Sequence, residues 1–228
     1  MDLARVEACG RDVGRMVAQT LEHGRADEGA FVALSAAIER RIGVELDSAH
    51  ARASPAPACA PGCASCCTVN VATLPVEGAA IAAWLRRRLT AGEVSERAAA
   101  LLAFHARVRW SDDAERIRER LACPFLDRRG ECAVHPVRPL ACRGVSSLDA
   151  GDCRRALAER AGDEGDGCVR MNVLQRALHD EALREVAAAL AERGLDARSR
   201  DVSGMAGAFL ADPARVRDYL AGVRLPLE

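Results

Sequence analysis

Cys59-Ala-Pro-Gly-Cys63-Ala-Ser-Cys66-Cys67 is the densest chemistry in the chain. Four thiols fall within nine residues, and Pro61 and Gly62 interrupt them, so the run is neither a helix core nor a strand core. Its counterpart is Cys123-Pro-Phe-Leu-Asp-Arg-Arg-Gly-Glu-Cys132, followed by Cys142 within Arg138-Pro-Leu-Ala-Cys142-Arg143. Seven cysteines thus stand in two tight groups, and the chain between them reads as helix. The expectation is a metal or iron–sulfur site built from two loops and held by a helical frame.

Thiolates are soft ligands that suit Zn²⁺ and iron–sulfur clusters, and tetrahedral sulfur sites are the usual outcome for both. Short spacings let a tight turn aim several sulfurs at one point with little loop-closure cost. Seven thiols exceed the four that one zinc takes, which points to a cluster, to several metals or to spectator thiols. Cys153 and Cys168 lie in a stretch able to fold over the site and join the candidate ligands. Arg138 and Arg143 flank Cys142, where they would offset the negative charge of a polythiolate cofactor or lie solvated beside it. Cys59-x3-Cys63-x2-Cys66 is also the spacing of radical SAM enzymes. Those need a barrel of alternating strands and helices after the motif, and this chain offers helices only.

Composition narrows the rest. At 228 residues the chain can bury a sizeable core. Apolar residues make up 50%, mostly Ala and Leu, while aromatics are 3%, which suits packed helices better than a β-sandwich. The net charge of -1 gives no reason to expect nucleic acid or a membrane surface as partner. A metal ion is the expected partner; a protein partner is compatible with the sequence, which sets no oligomeric state. The first residues lack the apolar run of a signal peptide, so a cytoplasmic location is expected. Thiols stay reduced there, which favours metal ligation over disulfides.

Along the chain, residues 2–22 and 26–46 carry apolar residues at helical spacing and read as a hairpin across Gly24, although Gly10 and Gly14 weaken the first helix. Cys9, beside the first stripe, reads as a packing residue. Ser54-Pro-Ala-Pro-Ala is an extended lead-in, and Val69-Asn-Val-Ala is long enough for one short strand. A helix starts near Pro75 with Glu77 in its first turn. After a break at Gly92, a long helix runs to about Leu121 with Val94, Ala98, Leu101, His105 and Val108 on one stripe. His105 reads as a core histidine, with a ligand role the alternative. Residues 123–135 form a small β-hairpin around Asp127-Arg-Arg-Gly130. Residues 149–168 are an acidic, Gly-rich loop, and 169–193 are a strong amphipathic helix closed by Gly194. Two short helices follow, near Met205–Leu210 and from Pro213 to Leu220. The expected fold is mostly α, about six to eight helices around a Cys-rich irregular core with one small β-hairpin.

The run Cys59-x3-Cys63-x2-Cys66-Cys67, the helix start at Glu77, Cys123-Pro-Phe-Leu and Cys132-x-Val-His135-Pro-x-Arg138-Pro-x-x-Cys142-Arg143 together resemble the zinc- or iron-chelating cysteine-cluster family, often called YkgJ-like. The resemblance covers roughly residues 55–145 and implies a metal-binding domain whose ligands come from these seven cysteines. His135 stands where that family often has an aromatic residue. The flagellin lysine N-methylases look related through the same cysteines, and imply the alternative of a protein-modifying enzyme. No glycine-rich nucleotide loop accompanies them here, and His50, His179 and the carboxylates of 163–166 are unconvincing catalysts. The expected organisation is a helical hairpin over 1–50, a metal-binding unit over 51–195 and a helical tail over 196–228 packed on it. The expected cofactor is an iron–sulfur cluster or Zn, the ligand surplus favouring the cluster, in a structural, redox or metal-handling role.

Overall fold

The computed structural model describes residues 2–22, 26–50, 56–160 and 168–226. The fold is mostly α with a minimal antiparallel β pairing. Helices α1 (Leu3–Glu22) and α2 (Glu28–His50) pack as expected, burying Val6, Val13 and Val17 against Phe31, Leu34, Ile38 and Ile42. Ion pairs from Arg5 to Glu45 (2.5 Å) and from Arg41 to Asp12 (2.7 Å) tie the two helices along their rims. Cys9 is buried in this interface. The turn expected at Gly24, and the first residues of the lead-in at Ser54, lie outside the described residues.

Strand β1 (Ala72–Thr73) follows the cysteine loop and leads into α3 (Pro75–Arg86), which has proline in its first turn. The strand falls at the end of the expected Val69–Ala72 segment because its partner arrives from far along the chain. Helix α4 (Ala91–Val108) begins at Thr90, whose hydroxyl accepts from the Glu93 amide, so Gly92 lies inside the first turn rather than in the break. The long helix expected to reach Leu121 is two helices. Asp112 accepts from the Glu115 amide (2.7 Å) and starts α5 (Asp113–Arg118), a local cap that overrides the continuing apolar stripe. Then come α6 (Leu140–Gly144) and α7 (Ala150–Arg160). The second corrects the loop expected over 149–168: Asp149 takes the Gly151 amide on its carboxylate (2.7 Å), and 150–160 continue as helix. Residues 161–167 lie outside the described residues. Among the described residues there are ten α-helices rather than six to eight, because short capped segments are separate helices.

Helix α8 (Val173–Glu192) is capped by Asn172 and closed by Gly194 at φ +71°. It lies against α1, where Gly10 and Gly14 make room: a Cβ on Gly10 would sit 2.6 Å from Cγ of Glu181. The glycines that lower the helix propensity of α1 are therefore its contact surface. Strand β2 (Arg200–Asp201) pairs antiparallel with β1, Ala72 opposite Asp201 and Thr73 opposite Arg200. Helix α9 (Val202–Ala211) is buried along nearly its whole length between α3 and α4. Its small residues set that approach. A Cβ on Gly204 would meet the His105 ring at 2.5 Å, and one on Gly78 of α3 would meet Met205 at 2.4 Å. His105 is thus a core residue, 3.6 Å from the Asp201 carboxylate. The chain continues into α10 (Arg215–Leu220), where Tyr219 packs edge-on to Phe209. One contiguous apolar core runs from Val6 to Leu225. No helix among the described residues is long and apolar enough to cross a membrane.

Two buried carboxylates fasten this frame. Glu77 accepts from the Leu74 amide (2.8 Å) and the Leu140 amide (2.7 Å), joining the starts of α3 and α6. Asp196 accepts from Arg198 (2.7 and 2.8 Å) and from the Leu225 amide (3.1 Å), closing the end of the chain onto the turn after α8. Glu77→Gln keeps one acceptor and places an amide against the other N–H, so it should cost about 1–3 kcal/mol in urea unfolding. Hydrogen bonds from Arg198 hold the Asp196 carboxyl down to about 2. Its stabilisation is present above the unfolded value of about 3.9 and is lost as pH falls toward 2. Asp196→Asn should therefore melt lower than wild type at pH 7, by about 1–3 kcal/mol, and the gap should close on acidification through that window.

Candidate metal centre

The first cysteine loop is shaped by two tight turns. Gly62 takes φ +81°, open to glycine without strain, and the Cys63 amide donates to the Ala60 carbonyl (3.0 Å). A single 3₁₀ turn over Ser65–Thr68 then presents Cys66 and Cys67. The second loop turns at Asp127, whose carboxylate accepts from the Arg129 and Glu131 amides (2.8 and 2.9 Å), with Gly130 at φ +76°. The expected hairpin is present as one antiparallel bridge, Leu126 to Cys132. The two turns meet: a Cβ on Gly130 would stand 3.2 Å from the Gly62 carbonyl oxygen. The Cys123 amide donates to the Cys67 carbonyl (2.6 Å), a direct backbone link between the loops.

The frame holds the second loop at several points. Trp84 of α3 donates to the Ala133 carbonyl (3.1 Å), and Arg97 of α4 donates to Pro124 (3.0 Å). Glu77 secures Leu140, two residues before Cys142. Arg143 is buried and donates to the carbonyls of Arg138 (3.1 Å), His135 (3.1 Å) and Pro136 (3.0 Å). It is also paired with Glu39 of α2 (3.3 Å), a residue that nothing in the sequence marked. His179, fully buried, lies 3.5 Å from the same Glu39 carboxylate with its Nδ1 on the Gln175 carbonyl, so it braces α8 against α2. The side chain of His50 and the carboxylates of 163–166 lie outside what the structure describes.

Five thiols lie within electrostatic reach of one another: Cys66, Cys67, Cys123, Cys132 and Cys142. The Cys67 thiol hydrogen-bonds Cys66 and, with the Arg138 charge, holds Cys66 down to about 6. That same bond, then burial and the sulfurs of Cys66, Cys123 and Cys142, push Cys67 far up. Burial raises Cys123 to about 11, and burial followed by Cys123 raises Cys142 further. Cys132 is raised by burial as well, against the pull of Arg138 and Arg143. Ionising this group requires positive charge inside it, which the two arginines supply in part and a thiophilic cation would supply in full. Among the described residues, no group of three or more His, Cys, Asp or Glu side chains is placed to hold a metal ion.

The remaining candidates lie outward. Cys59 and Cys63 are exposed, and the Ser147 amide points at the Cys59 sulfur (3.4 Å). Cys153 of α7 faces a cavity that Cys59, Cys63 and Cys66 also line. Cys168 is exposed and does not line that cavity. All ten cysteines are free thiols.

No curated protein and no solved structure matches the chain. A family match covers residues 58–159 and so reaches past the expected limit near 145 to include α7 and Cys153. Its description is CxxCxxCC, "putative zinc- or iron-chelating domain". Residues 58–159, the segment that contains both cysteine loops, are thus similar to that CxxCxxCC family.

Proposed function

We propose that residues 51–195 form a metal-binding unit whose polythiolate centre is an iron–sulfur cluster, with 1–50 and 196–228 as its frame. The observation that carries this is the gathering of five thiols from two loops, one more than a single zinc takes. Cys66, Cys67, Cys123, Cys132 and Cys142 would hold the group, with Cys59, Cys63, Cys153 and Cys168 as outer candidates. Such a cluster supplies one-electron redox chemistry and structural cross-linking. Arg138 and Arg143 would balance its charge, and Arg143 also keeps the Cys142 helix turned toward the other sulfurs through three backbone carbonyls. A structural, redox or metal-handling role in a reducing cytoplasm follows from that chemistry. The alternative of a protein-modifying enzyme gains no support from His105 and His179, both of them buried packing residues.

Purified under argon, the protein should be brown and contain iron and acid-labile sulfide in comparable amounts. A colourless protein with stoichiometric zinc, forming no cluster when iron and sulfide are supplied, would decide for zinc. Cys142→Ser and Cys123→Ser should each lower metal content at least several-fold, whereas Cys9→Ala should leave it unchanged.

Structural metal sites contribute about 10–16 kcal/mol in zinc peptides, comparable to a domain's whole stability. Complete chelation should therefore speed hydrogen exchange over 56–72 and 122–145 while α1, α2 and α8 stay protected. Exchange in 56–72 that is indifferent to metal removal would refute the coupling.

A further inference from the structure

A buried charge stands where the first cysteine loop ends and the second begins. Arg116 of α5 is 2% exposed, and its guanidinium reaches three separate segments. It donates to the side-chain oxygen of Asn70 (2.9 Å), three residues after Cys67, and to the Leu121 carbonyl (3.4 Å), two residues before Cys123. The backbone link from Cys123 to Cys67 lies between those points, so Arg116 joins the same two stretches a second time. Its countercharge comes from β2, where Asp201 lies 3.5 Å away and also accepts the Ser203 amide that begins α9 (3.0 Å). Asn70 is pinned in turn, its amide donating to Asp113 (2.7 Å) and its side chain to the Ser111 carbonyl (2.9 Å). The turn into the second loop is strained: Arg120 takes φ +55°, the left-handed region where glycine usually closes a helix. That conformation returns the Leu121 amide to the Arg116 carbonyl (2.8 Å), so residue 116 grips residue 121 through main chain and side chain alike. A non-glycine residue stays in this region only where its surroundings over-determine it.

The energetics say what the guanidinium is for. A buried ion pair adds little net stability over an apolar pair of similar size, because desolvation offsets the attraction. Its Nε is also buried without a hydrogen-bond partner among the described residues, a further cost. What the planar fork of donors supplies is direction, since it fixes several acceptors relative to one another and a flexible apolar side chain does not. We propose that Arg116 is a positioning residue for the thiol group: with Asp201 as countercharge, it holds the exit of the first cysteine loop against the entry of the second and so sets the approach of Cys67 and Cys123. The inference rests on the reading of the gathered thiols as a metal centre, and names the frame contact to which metal affinity is sensitive.

The test uses the full chain, reduced and freed of metal under argon, with zinc as the probe and a chromophoric chelator as competitor. Arg116→Met alone would leave the Asp201 carboxylate buried without its partner. The informative variant is therefore Arg116→Met with Asp201→Asn, which removes both charges and keeps an oxygen to accept from Ser203. It should unfold at a urea midpoint close to wild type, yet bind zinc at least about tenfold more weakly. Asn70→Ala, at an exposed position, removes only the first-loop end of the link and should weaken binding about three- to tenfold. Arg86→Met is the control for a purely structural arginine. Arg86 bonds Glu28 and the carbonyls of Phe209 and Leu210, so its loss should lower the urea midpoint and leave zinc affinity unchanged. A second measurement needs no metal: in the metal-free chain, exchange of the Cys123 amide should be at least about tenfold faster in the double variant, while α8 keeps its wild-type protection. Zinc affinity equal to wild type in the folded double variant would overturn the proposal, as would unchanged exchange at Cys123. A wild type that takes up neither zinc nor iron refutes the metal reading by itself, and the exchange comparison then decides the positioning role.

Discussion

The centre depends first on the carboxylate of Glu77. It sits inside α3, yet its two oxygens hold the amides that begin two different helices, α3 itself and the short α6 carrying Cys142. Burial pushes its carboxyl up to about 7 even though both amides favour the ionised form, a measure of how little water surrounds it. A five-residue helix has almost no stability of its own, so α6 stands where this carboxylate and Arg143 hold it. Arg143 binds three carbonyls of the preceding turn and, through Glu39, reaches α2 and His179. The position of one cysteine is therefore set by three helices.

The thiols themselves impose the opposite demand. Gathering five sulfurs in a half-buried space raises the cost of charging nearly all of them. Only Cys66, which receives the Cys67 hydrogen bond and faces Arg138, is eased toward thiolate. Without a cation most of these thiols stay protonated and neutral, and a cation shared among the sulfurs is what would draw them to thiolate. The hydrogen-bonded anchors of the second loop, Trp84 to Ala133 and Arg97 to Pro124, hold the group together.

Much of this was readable in the residues, and the failures have identifiable causes. The helices with a firm apolar stripe, α1, α2, α3 and α8, stand close to where their periodicity puts them, and the two cysteine groups do adjoin. The helix expected to end near Leu121 stops early because Asp112 forms a cap, a local interaction that periodicity over a long window averages away. Helix α7 was hidden by its own composition: Gly151, Asp152 and four further charged residues look like solvent-exposed loop until Asp149 is seen binding Gly151 and Arg170 binding Asp152. Glu39 was illegible because its partners, Arg143 and His179, come from far along the chain. Cys59 and Cys63 share a motif with Cys66 and Cys67 yet lie on its outer side, a distinction that spacing cannot express.

Helix α9 has the plainest sequence of the set, mostly Val, Gly, Ala and Met, and the deepest burial. It is also synthesised well after both cysteine loops. Ribosomes add about 5–20 residues per second, so the roughly seventy residues between Cys142 and the end of α9 take about 3–14 s to emerge. For that interval α3 and α4 have no partner between them, while every thiol of both loops has already left the ribosome. The nascent chain thus exposes a full set of reactive sulfurs before it has the scaffold that arranges them. Until its buried helix docks, the two loops lack the frame that brings their sulfurs together.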